Sequence, residues 1–255
     1  MGIRKKIKKW FYKRKYQKFR FEDFEIKNNT VLITGANSGI GLELVKIFKN
    51  NNKVLAFYNQ NSENLDKISL KNMEKFSLDL TDLNQECSEN LKSYFIKNKP
   101  NIIINCAVYN KIPDEIELLK INHQTYLDAF KINCTSVLQI IQLVLENNNE
   151  LNTIINLSST RGSIKNNTEG MHYRYRSTKA CMNAISKSLS IDLKKKFNIN
   201  VITLSPGEII TELNPNGLIN SDICAKKIFH FLSINSLSDF NGKFIDISNY
   251  EEVDW

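Results

Sequence analysis

From Thr30 to the C-terminus, short β-type apolar runs alternate with segments of helical periodicity, and this alternation constrains the fold more than any other feature. Thr30–Thr34 (TVLIT) reads as a buried strand, and 40–50 (IGLELVKIFKN) as a helix with Leu44, Ile47 and Phe48 on one face. Strands are predicted at 54–58, 75–78, 101–105, 153–157, 200–204 and 243–247, and further helices at 123–146, 173–195 and 222–232. In the long 123–146 helix, Phe130, Val137, Ile141 and Val144 share a side. Strands separated by helices pair in parallel through right-handed crossovers. The expected fold is therefore α/β: a single doubly wound parallel sheet with helices on both faces, with no second domain after residue 30.

Charge separates the first residues from the rest. The chain has 255 residues, with 35 Lys/Arg and 27 Asp/Glu. Ten of those cations and none of the acids lie in residues 1–20, so the remaining 235 residues carry 25 cations against 27 acids. The basicity belongs to a tail, and the domain as a whole gives no reason to expect specific nucleic-acid binding. Residues 1–29 read as a basic N-terminal extension in which Ile3, Ile7, Trp10 and Phe11 recur at helical spacing. Such a stripe suits peripheral contact with an anionic membrane through residues 1–20. A solvated arm, an arm packed on the domain, and contact of the arm with an acidic partner or nucleic acid are the alternatives. No apolar run reaches the roughly 18 residues of a spanning helix. The N-terminus lacks the 7–15-residue apolar core of a secretory signal, so a cytoplasmic location, with or without the membrane-surface contact, is expected. Five scattered cysteines without a C-x-x-C and three scattered histidines suggest free thiols and no metal site.

Three of the nine glycines fall in seven residues of Thr34–Gly41 (TGANSGIG), between a predicted strand and a predicted helix. The spacing G-x-x-x-G-x-G places Gly35, Gly39 and Gly41 where side chains would keep backbone N–H groups from a pyrophosphate. Asn37, Ser38 and Ile40 complete the turn, and the helix that follows offers its positive end to the phosphates. There is no G-K-[ST], which excludes a triphosphate P-loop. At the tip of the second strand, Tyr58 and Asn59 occupy the place where a carboxylate would hold an adenosine ribose. Nothing there repels a 2′-phosphate and no arginine clamps one, which tilts the reading toward NADP over NAD.

Tyr175 and Lys179 are four residues apart on a predicted helix, so a phenol and an ammonium share one face. The cation favours phenolate and lowers the phenol pKa, as a general acid/base requires. Tyr173 competes for the role, but its i+4 residue is Ser177. Sixteen residues before Tyr175, Ser159 ends the fifth strand, where parallel sheets face their ligands. Beyond the sixth strand, Pro206-Gly207 turns the chain toward Ile209 and Thr211.

TGANSGIG, Asp79 in SLDLTD, NCAV at 105–108, Asn133 in KINCTS, LSSTRG, YRSTK and SPGEIIT occur in one order over about residues 30–213. In these motifs the chain resembles a classical member of the short-chain dehydrogenase/reductase family, and in its C-terminal tail the subgroup related to C-factor and small carbonyl reductases. The resemblance implies a Rossmann-type NAD(P)-binding oxidoreductase domain over residues 30–255. Hydride would pass between nicotinamide and a small-molecule carbonyl or alcohol, with Tyr175 as general acid/base and Ser159 polarising the substrate oxygen. Lys179 would lower the phenol pKa and hold the nicotinamide ribose, and Asn133 would hold a water in a proton relay. Gly35, Gly39, Gly41 and Ile40 would line the pyrophosphate. Asp79, beside Leu80, would meet the adenine, and Asn105 and Ala107 the adenosine ribose region. Ile209 and Thr211 would touch the carboxamide. A homo-oligomer is the family's habit. The chain departs from the pattern at Val108, where the family has glycine, and in a short segment of 29 residues between Thr211 and Asn241. These departures keep open an alternative: a catalytically weak cofactor-binding or regulatory protein on the same fold.

Overall fold

The structure is a computed structural model. It describes Ile7, Trp10 and residues 25–109, 118–211, 214–234 and 236–255. The remainder of the basic arm therefore lies outside the described residues. Ile7 and Trp10 are helical, and each is about half exposed (51% and 54%).

In chain order the elements are β1 (Thr30–Thr34), α1 (Gly39–Phe48), β2 (Lys53–Tyr58), α2 (Glu63–Asp66), β3 (Met73–Ser77), α3 (Gln85–Asn98) and β4 (Ile102–Asn105). They continue with α4 (His123–Phe130), α5 (Ser136–Asn147), β5 (Thr153–Leu157), α6 (Tyr173–Phe197), β6 (Asn200–Ser205), β7 (Ile209–Ile210) and β8 (Ile219–Asn220). The last are α7 (Ser221–Ile234), β9 (Phe244–Asp246) and β10 (Glu251–Glu252). The main sheet has the order β10-β9-β6-β5-β4-β1-β2-β3 and is parallel except for the edge strand β10. Strands β7 and β8 form a separate parallel ribbon.

Period-two alternation divides the core into two layers. Val31, Ile33, Val54, Ala56, Ile155 and Leu204 pack with Leu44 and Phe48 of α1 and with Cys224 and Ile228 of α7. Leu32, Leu55, Ile103, Ile154 and Val201 face the other way, onto Phe95 of α3, Val137 and Ile141 of α5, and Met182 of α6. Both faces are covered, as a parallel sheet requires. The chain changes direction between β1 and β4, and ligands of doubly wound sheets bind in the crevice that this opens at the strands' carboxyl ends.

Two expectations are corrected. The 123–146 helix is interrupted by a π-turn at Lys131–Thr135, with the Ser136 N–H donating to the Lys131 carbonyl five residues back. The extra residue rotates what precedes it, so Ala129 is buried while Phe130 stacks on Tyr126 nearer the surface. Helix α3 has no counterpart in the sequence reading, because it is polar on most faces and buries only Leu91, Phe95 and Asn98. No helix among the described residues is long and apolar enough to cross a membrane.

Candidate functional site

The glycine turn is built first by backbone sterics. Gly35 has φ +66°, and a Cβ there would lie 2.8 Å from the Ala107 Cα. A Cβ on Gly41 would fall on the carbonyl oxygen of Gly35. Two of the three glycines thus let the turn close on itself and on the loop after β4, whatever is bound. Gly39 (φ +54°) faces the Thr211 methyl, 3.1 Å from where a Cβ would stand, so the segment after β6 crosses the same turn.

Thr34, missed by the sequence reading, holds the other side. Its hydroxyl oxygen accepts from the Cys106 N–H (3.0 Å) and the Ala107 N–H (3.1 Å), pinning the β4 loop against the end of β1. A hydroxyl residue immediately before the first glycine was the available signal. Helix α1 begins at an extended Ser38 whose side chain makes no capping bond, and its first turn contains no acid. Its leading N–H groups are left for an anion, which fits a dinucleotide pyrophosphate.

The other cofactor candidates divide into crevice and scaffold. Asn37 accepts through its carbonyl from the Asn64 side chain (3.1 Å). Tyr58 and Asn59 are half-buried at the tip of β2, where the Asn59 carbonyl accepts from the Ser77 hydroxyl. Asp79 is exposed, and its carboxylate accepts from both the backbone and the hydroxyl of Thr81 (2.8 and 2.7 Å); Leu80 beside it is half-buried. Asn105 is only 2% exposed and donates to Asn156 (2.8 Å), which donates to Ser186 (2.8 Å), so its side chain ties β4 to β5 and α6. Pro206 and Gly207 (φ +83°) turn the chain, and the Ile209 N–H donates back to the Gly207 carbonyl (3.2 Å). Ile209 is buried, and Thr211 bridges to Asn214. Val108 is half-buried one residue beyond the close approach at Gly35.

On the substrate side, Lys179 is 3% exposed, and its ammonium donates to the Leu157 carbonyl at the end of β5 (2.7 Å). The same ammonium stands 5.8 Å from the centre of the Tyr175 ring. Burial pulls its pKa down to about 8. Tyr175 is half-buried beside it, whereas Tyr173 is 40% exposed and its carbonyl accepts from Ser177. Geometry thus sets Tyr175 apart from its neighbour. Ser158 is buried and donates to Asn183 (2.6 Å), while Ser159 is half-exposed and its hydroxyl accepts from the Arg161 N–H (3.2 Å). Asn133, in the π-turn, accepts from the Tyr109 N–H (2.8 Å) and donates to Thr178 (3.1 Å), locking the turn to α6 one residue from Lys179. The nearby thiol of Cys106 is pushed by burial up to about 12, which keeps it neutral. No cluster of metal ligands occurs among the described residues.

A crevice with a phosphate-ready helix end on one side and a lysine-backed tyrosine on the other agrees with the comparisons. The short chain dehydrogenase family model matches residues 29–218. The chain belongs to the short-chain dehydrogenase/reductase family. It is thereby placed among NAD(P)-dependent oxidoreductases. A probable short-chain type dehydrogenase/reductase, VdlC, of Helicobacter pylori is 26% identical, covering 87% of this chain and 80% of its own. The C-signal protein of Myxococcus xanthus is 28% identical over 50% of this chain and 76% of its own. Among solved structures, the fold is similar to the carbonyl reductase Sniffer of D. melanogaster (TM-score 0.79, 24% identity, 89% of this chain, 99% of that one). It is also similar to the NADPH-bound carbonyl reductase from chicken fatty liver (TM-score 0.78, 23% identity, 90% and 100%). A third is a 4-hydroxyisoleucine dehydrogenase complexed with NADH (TM-score 0.73, 22% identity, 86% and 96%).

Proposed function

We propose that this protein reduces a small-molecule carbonyl, or oxidises the corresponding alcohol, with NADP as the preferred cofactor. The observation that carries the reading is the buried Lys179 ammonium, fixed by the Leu157 carbonyl and held against the Tyr175 ring. When bound, the nicotinamide supplies or accepts the hydride.

The residues of this chain do the rest. The uncapped start of α1 and the turn Gly35–Gly41 hold the pyrophosphate, and Tyr58 and Asn59 receive the adenosine end without a repelling carboxylate. The Ser159 hydroxyl donates to the substrate oxygen and orients it. The Tyr175 hydroxyl gives that oxygen its proton in reduction and takes it in oxidation. Lys179 stabilises the phenolate left behind, at short range and in a site of low dielectric. Asn133 and Thr178 keep the helix in register, so that this geometry exists before substrate arrives.

Tyr175→Phe tests the reading. Turnover of a carbonyl panel should fall by about 10²- to 10⁴-fold, with cofactor affinity retained in a fluorescence titration. Unchanged turnover would remove the acid/base assignment. Unchanged cellular effect in the same variant would favour a regulatory protein.

The basic arm carries a separate proposal, that residues 1–20 bind anionic bilayers. Full-length protein should sediment with phosphatidylserine vesicles at low salt and be released as salt rises. Equal sedimentation after deletion of residues 1–20 would end that idea.

A further inference from the structure

We propose that residues 253–255 strap down the turn that carries Ser159, which makes Asp254 and Trp255 positioning residues for the reaction. This deepens the reductase reading and rests on it.

The Ser159 and Tyr175 hydroxyls have to meet one substrate oxygen, yet a long connection separates them. Ser159 leads into the tight turn Thr160–Gly162, and α6 starts only at Tyr173. Residues 164–171 between them are exposed. Several of their hydrogen bonds are local: the Asn167 N–H donates to the Ile164 carbonyl (3.2 Å), and the Gly170 N–H to the Asn167 side chain (3.0 Å). The connection ends in three successive left-handed residues, Gly170, Met171 and His172 (φ +66°, +54° and +53°). Two of them are not glycine, and such a backbone persists only where its surroundings hold it.

The turn is fixed from three directions. From β6, the Ser205 hydroxyl accepts from the Thr160 N–H (3.1 Å). From α6, the backbone of Lys179 crowds Gly162, where a Cβ would stand 2.8 Å from the Lys179 carbonyl carbon. The third hold comes from 92 residues beyond Ser163 in the chain. The backbone oxygen of Trp255 accepts from the buried Ser163 hydroxyl (3.2 Å) and from the Lys165 N–H (3.4 Å). The Ser163 hydroxyl in turn accepts from the Asn166 N–H (3.2 Å), and the Ser163 N–H donates to the Thr160 carbonyl (3.1 Å). Asp254 pairs with Lys165 (3.0 Å), an exposed contact that adds direction more than strength.

The strap is itself anchored in the core. Strand β10 pairs with β9, and the Val253 N–H donates to the Phe244 carbonyl (2.6 Å). The Trp255 ring stacks on the fully buried Phe244, with centroids 5.4 Å apart, and the Lys187 ammonium of α6 lies 6.0 Å from the centre of the same indole. Trp255 therefore carries the rigidity of the sheet edge to the far end of the Ser159 turn. A misplacement of about 1 Å can cost ~10²-fold in rate, so a turn held at one end only would be expensive.

The test uses wild type, the chain without residues 253–255, Trp255→Phe and Ser163→Ala, each assayed with a carbonyl panel and NADPH. Removing the strap should lower kcat about 10-fold, with NADPH affinity unchanged in a fluorescence titration. Trp255→Phe, which keeps the ring stack, should retain most of the rate, and Ser163→Ala should lie between. The same deletion in a Ser159→Ala background should cost almost nothing further, because the strap acts through Ser159. A general structural role would lower the rate by the same factor in both backgrounds; that result, or an unchanged kcat, overturns the proposal. Hydrogen exchange gives a readout without turnover. The Ser163 and Asn166 amides should exchange at least about 10-fold faster without the strap, while the Ala36 amide, bonded to the Phe57 carbonyl, keeps its rate. Unchanged exchange at Ser163 and Asn166 overturns the strap. Should the deletion fail to fold, Ser163→Ala, which loses one hydroxyl, carries both measurements. A wild type that turns over nothing, with exchange that responds to the deletion, keeps the strap and loses the reductase reading.

Discussion

The two walls of the crevice are built by different means. On the cofactor wall, at β1, α1 and the β4 loop, the decisive contacts are backbone against backbone. Gly35 lies against Ala107, Gly41 against Gly35, and the Thr34 hydroxyl accepts from two amides of the facing loop. On the substrate wall, at the β5 turn and α6, polarity decides. A lysine is buried there, and Arg161 Nη1 and Asn183 Nδ2 are buried without partners. The first wall closes backbone on backbone, yet it too keeps polar groups unsatisfied, in the uncapped start of α1 and in Asn105 Oδ1. The difference teaches that glycine spacing in such a turn reports chain closure as much as phosphate binding.

The sharpest break of this comparison is Gly41→Ala. The added methyl meets a carbonyl oxygen of the rigid turn, with backbone on both sides. A loss of about 3 kcal/mol or more in thermal or urea unfolding is expected, with or without cofactor. A variant as stable as wild type but weak in cofactor binding would reverse the assignment and make phosphate access the reason for that glycine.

Lys179→Met probes the other wall through pH. The lysine's pKa falls from 10.5 in the free residue to about 8 in the fold. Below about pH 8 it is charged in both states and the full cost of burial is felt. Between about pH 8 and 10.5 the native state releases its proton while the unfolded chain keeps it, so wild type gains stability as pH rises. The stability advantage of Lys179→Met over wild type should shrink by about 3 kcal/mol across that window. Parallel stability curves would show that the ammonium is better solvated than its burial implies.

Thr34→Val is the mildest test. It keeps shape and removes the acceptor of two loop amides, for an expected cost of about 1–3 kcal/mol and weaker cofactor binding. An unchanged melting temperature would mean that the β4 loop is held by Gly35 packing alone.

Much of this molecule was legible before the coordinates. β1 and β5 were read to the residue, because their apolar runs are bounded by turn residues. The sheet class followed from the alternation of elements. Helix α3 escaped because its packing needs only Leu91 and Phe95, too few to show a periodicity. The π-turn at Lys131–Thr135 escaped because an extra residue in a helix leaves no mark on composition, only on which side chains face inward.

The site divides along the same line. Motif residues such as Gly35, Ser159, Tyr175 and Lys179 were read from spacing, since positions i and i+4 share a helix face wherever the helix lies. Residues whose role depends on what lies across a gap were not. Asn105 ties β4 to β5 through Asn156, a contact that no spacing along the chain announces. Taken alone, the sequence determined the order of the elements and the local pairings, because hydrophobic period and chain spacing are properties of neighbours along the chain. Tertiary structure decided which donors are left buried without acceptors, because satisfaction of a polar group depends on atoms that distant segments bring to it.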